Sequence, residues 1–444
     1  MFDILNKKDK SERKPGDVQI CLDNKKNPVI VPWQDRIMHT LITGQTGSGK
    51  LSFTFMPMIH QDIQNKDLGV TIFETDYNIC DKTYAMAKYY GRNVVYFNPI
   101  VPMCPHFNPM IGEEENVIEN IVGAFREFNK PGDSYFLDIQ LTLLKYSVII
   151  LKRLFRDDVS LNLNHLCNFV NDTDGYGTYI VEQFSKLNNL TNEQLQEHRK
   201  ILSWFKDEYF NENSRIFTDC IAVRSQLEKL TSNKYLKNVL NPSKEDKVID
   251  LRKHIENGDV VIISTNIGML RDIGRLLGFM LMFEYQCAVF HRVSECENIY
   301  GLKLNSVYID EFPVFCNIGF IDLLTQGRSY RVITQIGIQS IGTLPKEYKD
   351  VILTNSRNLI IYPGISKADA EYFAGRLNNA SKDVRVSPDE LIYRKFGQVS
   401  YLYTYMNRND YVGYGTVDFI PKELDEILNL MCGVLYDCIR GYNK

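Results

Sequence analysis

The sequence predicts an α/β fold, a mostly parallel sheet of the P-loop type with an all-α domain inserted into it. Three observations carry that reading. Short β-branched runs such as Gly69–Glu74 and Asp259–Ser264 alternate with segments of helical period, the pattern of buried parallel strands joined by crossover helices. A short apolar run feeds the stretch Gly44-Gln-Thr-Gly-Ser-Gly-Lys50, the form of a phosphate-cradling loop. Between Glu113 and Leu240 strand-like runs almost vanish while helical periodicity persists.

In chain order, Val18–Leu22 and Pro28–Pro32 form a hairpin turning at Asp23–Asn27, which leads into the strand before the glycine-rich loop. A helix follows from about Lys50 to Gln64, then the buried strand Gly69–Glu74, a helix over Asp81–Gly91 and the strand Asn93–Phe97. The inserted block shows helical period in Val117–Phe128, Tyr135–Phe155, Gly177–Leu187 and Asn192–Tyr209. The sheet is expected to resume with Val248–Leu251 and Asp259–Ser264, followed by a long helix over Met269–Phe290. Strands at Leu304–Asp310, Arg331–Ile338, Asn358–Tyr362 and Gln398–Tyr405 and a helix over Pro421–Ile439 close the domain. The expected division is a flexible basic tail over 1–16, a nucleotide-binding domain over 17–112 and 241–444, and an all-α domain over 113–240.

Composition narrows the function classes. The 444 residues are 44% hydrophobic and 24% charged with a net charge of −4, as in a globular protein of more than one structural unit. A pI near 6.0 excludes a chain coated in basic residues, so any nucleic-acid contact is expected to be local. Ten cysteines without a C-x-x-C pair carry no zinc or dithiol signal and read as buried small apolar residues in a reducing cytosol. Leu141–Phe155 is interrupted by Lys145, Lys152 and Arg153, and Ile273–Phe290 by Arg275 and Glu284. Neither is expected to span a membrane, which needs about 20 predominantly apolar residues. The start of the chain shows no signal-peptide core, and the run Lys7–Lys14 reads as a solvated tail.

The chemistry concentrates in two motifs. In the loop, Gly44, Gly47 and Gly49 are expected to free the backbone so that the N–H groups of Gln45, Thr46, Ser48 and their neighbours face phosphate oxygens, while Lys50 reaches the β- and γ-phosphates. Leu51 stands where a magnesium-binding hydroxyl is usual, and Ser52 comes one residue later. Ser306-Val-Tyr-Ile-Asp310-Glu311 has the form of a Walker B strand. Asp310 is placed to hold Mg²⁺ through water, and Glu311 to polarise the attacking water. Gln339 ends the following buried strand as a candidate sensor of γ-phosphate or water, the alternative being a strand-end amide satisfied by backbone. Arg328 is a candidate arginine finger toward a neighbouring subunit, with Arg331 in reserve and a solvated helix-end arginine as the alternative.

Taken together these residues resemble the TraD/TraG-like coupling-protein ATPases of type IV secretion and conjugation, within the RecA/FtsK-type hexameric motors. The matching segments are Ile42-Thr-Gly-Gln-Thr-Gly-Ser-Gly-Lys50, Tyr96-Phe-Asn-Pro99 with Phe107-Asn-Pro109, Val248-Ile-Asp-Leu251 before Val260–Ile263, Ile309-Asp-Glu-Phe-Pro313, and Gln339-Ser340. The resemblance implies a RecA-like domain, ATP and Mg²⁺ as ligands and a homo-hexamer. It also implies a relaxase–DNA partner carrying single-stranded DNA that is not read by sequence. Family members usually carry N-terminal transmembrane helices; none is read here, so a cytoplasmic protein held peripherally at the membrane by a channel partner is expected. Leu51 keeps a second class of function open, a catalytically weak nucleotide-binding adaptor, and another translocase of the superfamily is the third.

Overall fold

The computed structural model describes residues 14–76, 78–130, 134–156, 158, 160–188, 190–294, 301–404 and 410–441. Most of the basic tail expected over 1–16 lies outside the described residues. The chain forms two compact units. One holds Met1–Asn98, Leu251–Gly268 and Ala288–Lys444, the other Pro99–Asp250 and Met269–Cys287.

The first unit is built on a sheet of eleven strands among the described residues. They are β1 (Val18–Asp23), β2 (Pro28–Val31), β3 (Thr40–Thr43), β4 (Leu68–Glu74), β5 (Val94–Phe97), β6 (Val260–Ser264), β7 (Leu304–Ile309), β8 (Val332–Ile338), β9 (Asn358–Ile361), β10 (Gln398–Tyr403) and β11 (Tyr411–Thr416). Their spatial order is β2-β1-β11-β10-β9-β3-β8-β7-β4-β6-β5. From β9 to β5 every pairing is parallel, whereas β10, β11, β1 and β2 add antiparallel strands on one side. Every residue of β3, β4, β6, β7, β8 and β9 is buried, which explains why these strands read as continuous apolar runs without alternation.

Register fixes the site. Thr43 pairs with Ile338 of β8 and Ile361 of β9, and Ile309 of β7 pairs with Ile336 of β8 and Phe73 of β4. The residues that follow these strands therefore emerge along one carboxyl-terminal edge, where open α/β sheets bind ligands.

Three expectations differ from the structure. The helix after the glycine-rich loop begins with a wider turn over Leu51–Phe55 before the α-helix Met56–Ile63. Val248–Leu251 forms no strand: Val248 makes a single bridge to His106, and a helix begins at Leu251. Only two apolar residues stand there, between Asp246, Lys247 and Asp250, and both are only partly buried. β11 was not expected, because its Gly413 and Gly415 interrupt the apolar pattern. They let Tyr401 and the backbone of Leu22 approach where a side chain would collide.

The second unit is helical. Its main helices are Glu114–Asn129, Ser134–Phe155, Leu163–Asn171, Tyr176–Ser185, Asn192–Ser203 and Ile221–Ser232, joined by part of Asp272–Ser294. Leu163–Asn171 and Asn192–Ser203 open with capping boxes from Asn162 and Thr191, which satisfy the first free N–H groups. Gly123 permits the close approach of Phe283, whose ring lies 2.7 Å from where a Cβ would stand. Among the described residues, Ser134–Phe155 and Asp272–Arg292 are long and apolar enough to cross a membrane by length and composition, at mean hydropathy 1.3 each. Half and two thirds of their most apolar stretches are buried inside the protein, as expected of core helices, and the charges that interrupt them sit at partly buried or exposed positions.

Candidate active site

The loop after β3 turns sharply at Gly47 (φ 78°) and Gly49 (φ 96°), two left-handed positions that favour glycine. Gly44 is needed for another reason. An added Cβ there would lie 2.6 Å from Tyr362 Cβ and 2.7 Å from Ser48 Oγ, so space and not dihedral angle demands glycine. Gln45, Thr46 and Gly47 form the exposed crest, while Ser48 and Lys50 are buried.

Lys50 Nζ donates to the carbonyl oxygens of Gly44 at 2.7 Å and Gln45 at 3.4 Å. Burial lowers its pKa, opposed by the negative charges of Asp310 and Glu311. Ser48 Oγ and Thr43 Oγ1 are buried without a hydrogen-bond partner, and neither residue lines the cavity. Leu51 packs its side chain partly against the core, whereas Ser52 is exposed and lines the cavity.

Facing the loop, β7 delivers Asp310 and Glu311. Burial raises the pKa of Asp310, with Lys50 opposing and Glu311 adding to the rise. Gly337, on the neighbouring β8, makes room for it: a Cβ would fall on Asp310 Oδ1 and 3.1 Å from its Cα. Glu311 Oε2 accepts a hydrogen bond from Thr75 Oγ1 at 2.7 Å. Thr75 in turn follows the buried Glu74, whose Oε1 accepts from the Thr75 backbone N–H at 2.8 Å. Burial, then the charge of Asp310, pushes Glu74 up to about 8.

These groups share a cavity of about 640 Å³ lined by Thr46, Gly47, Gly49, Lys50, Leu51, Ser52, Asp310, Glu311 and Gln339, among others. Gln339 is thus brought to the site, exposed at the end of β8. Arg328 and Arg331 are not. They precede β8 at the opposite edge of the sheet, about 20 Å away at the rise of a seven-residue strand. Arg331 lies over the ring of Trp33 at 5.1 Å, and neither arginine reaches the site within one chain.

Gly337, Glu74 and Thr75 were not singled out from sequence. A glycine near the carboxyl end of a buried strand and an acid at the end of another were the available signals.

The residues fit a magnesium nucleotide. Lys50 and the loop N–H groups supply positive potential, and the desolvated Asp310 favours a nearby cation. No group of three or more His, Cys, Asp or Glu among the described residues could hold a metal by itself. Mg²⁺ keeps waters and substrate phosphates in its shell and needs only one or two protein carboxylates.

No curated protein matches the chain by sequence. Its fold is similar to that of the bacterial conjugative coupling protein TrwB in an unbound form, with a TM-score of 0.63 at 13% identity over 92% of this chain and 90% of that one. TrwB in complex with ADP and Mg²⁺ gives 0.63 at 16% identity over 92% and 91%. VirB4 of Thermoanaerobacter pseudethanolicus gives 0.51 at 12% over 92% and 97%. Residues 306–390, from β7 through β9 and beyond, match the family described as the TraM recognition site of TraD and TraG. A matched sequence region and a shared α/β fold with an all-α unit thus join the P-loop and Walker B motifs, and the chain is similar to the TraD/TraG-like coupling proteins of the RecA-like P-loop class.

Proposed function

We propose that this chain is a nucleotide-hydrolysing coupling protein that recruits a relaxase–DNA complex and powers its delivery to a type IV secretion or conjugation channel. The observation that carries the reading is the convergence of Lys50, Asp310, Glu311 and Gln339 on one cavity at the carboxyl edge of the parallel sheet. In the proposed reaction Lys50 exchanges the carbonyls of Gly44 and Gln45 for the β- and γ-phosphates of ATP. Asp310 would hold a magnesium shell through water, with Ser52 or a further water completing it. Glu311, oriented by Thr75, polarises the attacking water, and Gln339 orients it. Magnesium, when bound, neutralises phosphate charge. Arg328, remote from its own site, serves the nucleotide of a neighbouring subunit in a homo-hexamer.

The region over 306–390 is the proposed docking surface for a protein partner, as its likeness to the TraM recognition site suggests. DNA contact is through phosphates and shape, and membrane attachment of this cytoplasmic protein is through a channel partner. DNA affinity should therefore fall with salt and appear mainly in the assembled ring.

The test is a nucleotide titration paired with an ATPase assay in the presence and absence of single-stranded DNA. Lys50→Ala should lose ATP binding, and Glu311→Gln should keep binding and lose hydrolysis. Retained ATP affinity in Lys50→Ala would refute the assignment. The partly core-packed Leu51 favours a second reading, a weakly hydrolysing adaptor. Leu51→Thr separates the two, since a large gain in Mg²⁺-dependent turnover would show that the missing hydroxyl had limited it.

A further inference from the structure

One part of the cavity has no role in phosphate chemistry. Phe396 and Phe419 line it with 68% and 60% of their surfaces exposed, an unusual position for large apolar side chains at the mouth of a polar site. Both rest on Phe53. The ring centroids of Phe53 and Phe419 are 4.2 Å apart, and those of Phe53 and Phe396 are 5.5 Å apart at an interplanar angle of 75°. Phe53 is itself buried and lies three residues beyond Lys50, packed directly under Gly49. The aromatic cluster therefore abuts the phosphate cradle.

The two exposed rings are placed by the same end of one hairpin. Phe396 precedes β10 and Phe419 follows β11, where Gln398 pairs with Thr416 and Val417 N–H donates to the Gly397 carbonyl at 2.9 Å. Because β10 runs antiparallel to β9, which is parallel to the loop strand β3, that end of the hairpin lies on the edge where the nucleotide phosphates are proposed to bind.

We propose that Phe396 and Phe419, backed by Phe53, are the platform for the nucleobase of the bound nucleotide. The proposal rests on the nucleotide-binding reading above and adds the base subsite to it. Aromatic rings attract the π-face of any base, and these three side chains offer no donor or acceptor to a base edge. The platform therefore contributes affinity with little choice between adenine and guanine.

The test uses the full chain with Mg²⁺ and three probes, ATP, GTP and inorganic tripolyphosphate, measured by calorimetric titration. The Phe396→Ala/Phe419→Ala variant should bind ATP and GTP at least tenfold more weakly, while tripolyphosphate affinity stays within about twofold, since stacking is worth about 1–3 kcal/mol per base. Phe396→Tyr/Phe419→Tyr, which keeps both π-faces, should restore binding and so separates stacking from folding defects. The proposal is overturned if the alanine variant binds ATP like the parent. It is equally overturned if tripolyphosphate binding falls in parallel, which would make the rings supports of the loop, or if the parent prefers one purine by a hundredfold. A parent protein that binds tripolyphosphate but gains nothing from the base overturns only this proposal. A parent that binds no probe overturns the nucleotide reading with it.

Discussion

Replacing Asp62 with alanine should destabilise the nucleotide-binding unit far more than removing the whole ion pair to which it belongs. Arg36 and Asp62 are buried to within 1% of complete exclusion from solvent. Arg36 Nη1 and Nη2 donate to the two Asp62 oxygens at 2.8 and 2.7 Å. The guanidinium also donates to the Gly16 carbonyl at 2.6 Å, Ser306 Oγ at 3.2 Å and Tyr308 OH at 3.1 Å, and Tyr308 OH donates to Asp62 Oδ2 at 2.5 Å. The network ties the helix after the loop to the Walker B strand. Asp62→Ala leaves a desolvated cation whose remaining partners are neutral, at a cost of about 3–5 kcal/mol, roughly two to four decades in the folding constant. Arg36→Met/Asp62→Leu removes both charges and should cost only about 1–2 kcal/mol, mainly for the unpaired Tyr308, Ser306 and Gly16 groups. The assay is urea denaturation followed by fluorescence in a Trp204→Phe background, where Trp33 reports on this unit alone. A double variant as unstable as Asp62→Ala, or an Asp62→Ala cost below about 1 kcal/mol, would refute the reasoning.

Three further outcomes are expected. Gly337→Ala should cost about 1–3 kcal/mol by overpacking against Asp310 and Phe55, and turnover should fall more than tenfold with smaller loss of nucleotide affinity; an unchanged turnover would show that Asp310 tolerates displacement. Thr75→Val should lower kcat with little change in KM, whereas Thr75→Ser should retain activity; equal loss in both would mean that the position matters for packing alone. Burial holds His39 at about 4, so the unfolded chain takes up a proton below about 6.5 that the folded chain refuses. Stability should be fully present above that pH and decline as pH falls toward 4. His39→Asn, suited to the left-handed φ of 59° there, should flatten the decline in a pH series of denaturation midpoints.

The parallel core was legible because complete burial of both faces leaves only β-branched and apolar residues, as in Val260–Ile263 and Val307–Ile309. The two motifs were legible because Gly47, Gly49, Lys50 and Asp310 answer local demands of dihedral angle and charge. What escaped notice depends on neighbours distant in sequence. Gly337 matters through Asp310 and Gly413 through Tyr401, and Gly44, although named from sequence, is required by Tyr362 and not by a dihedral angle; none of these contacts has a period or a spacing. Leu163–Asn171 was passed over although Asn162 caps it, because its polar ends shorten the apolar stripe to a few residues. Arg328 was legible as a charge after a helix, but its distance from the loop follows only from the parallel register of β8 with β3.

Register also explains why the base of the proposed reaction stands apart from the metal-shell acid. β7 is flanked by β8 on one side and β4 on the other, so Asp310 meets the small Gly337 while Glu311 meets Thr75. The Thr75 hydroxyl lies 2.7 Å from Glu311 Oε2 and 3.3 Å from Glu74 Oε1, yet it has one proton to give. The shorter contact claims it. Burial with the charge of Asp310 pushes Glu74 up to about 8, which disfavours its charged form and makes it the weaker acceptor of the two. The Thr75 hydroxyl is thus directed to Glu311, while Glu74 keeps the Thr75 backbone N–H at 2.8 Å. With one oxygen accepting from Thr75, Glu311 is held in orientation with its other oxygen available for water. The residue that follows β4 therefore orients the end of β7 through one hydroxyl, and the buried Glu74 stays outside the phosphate cavity.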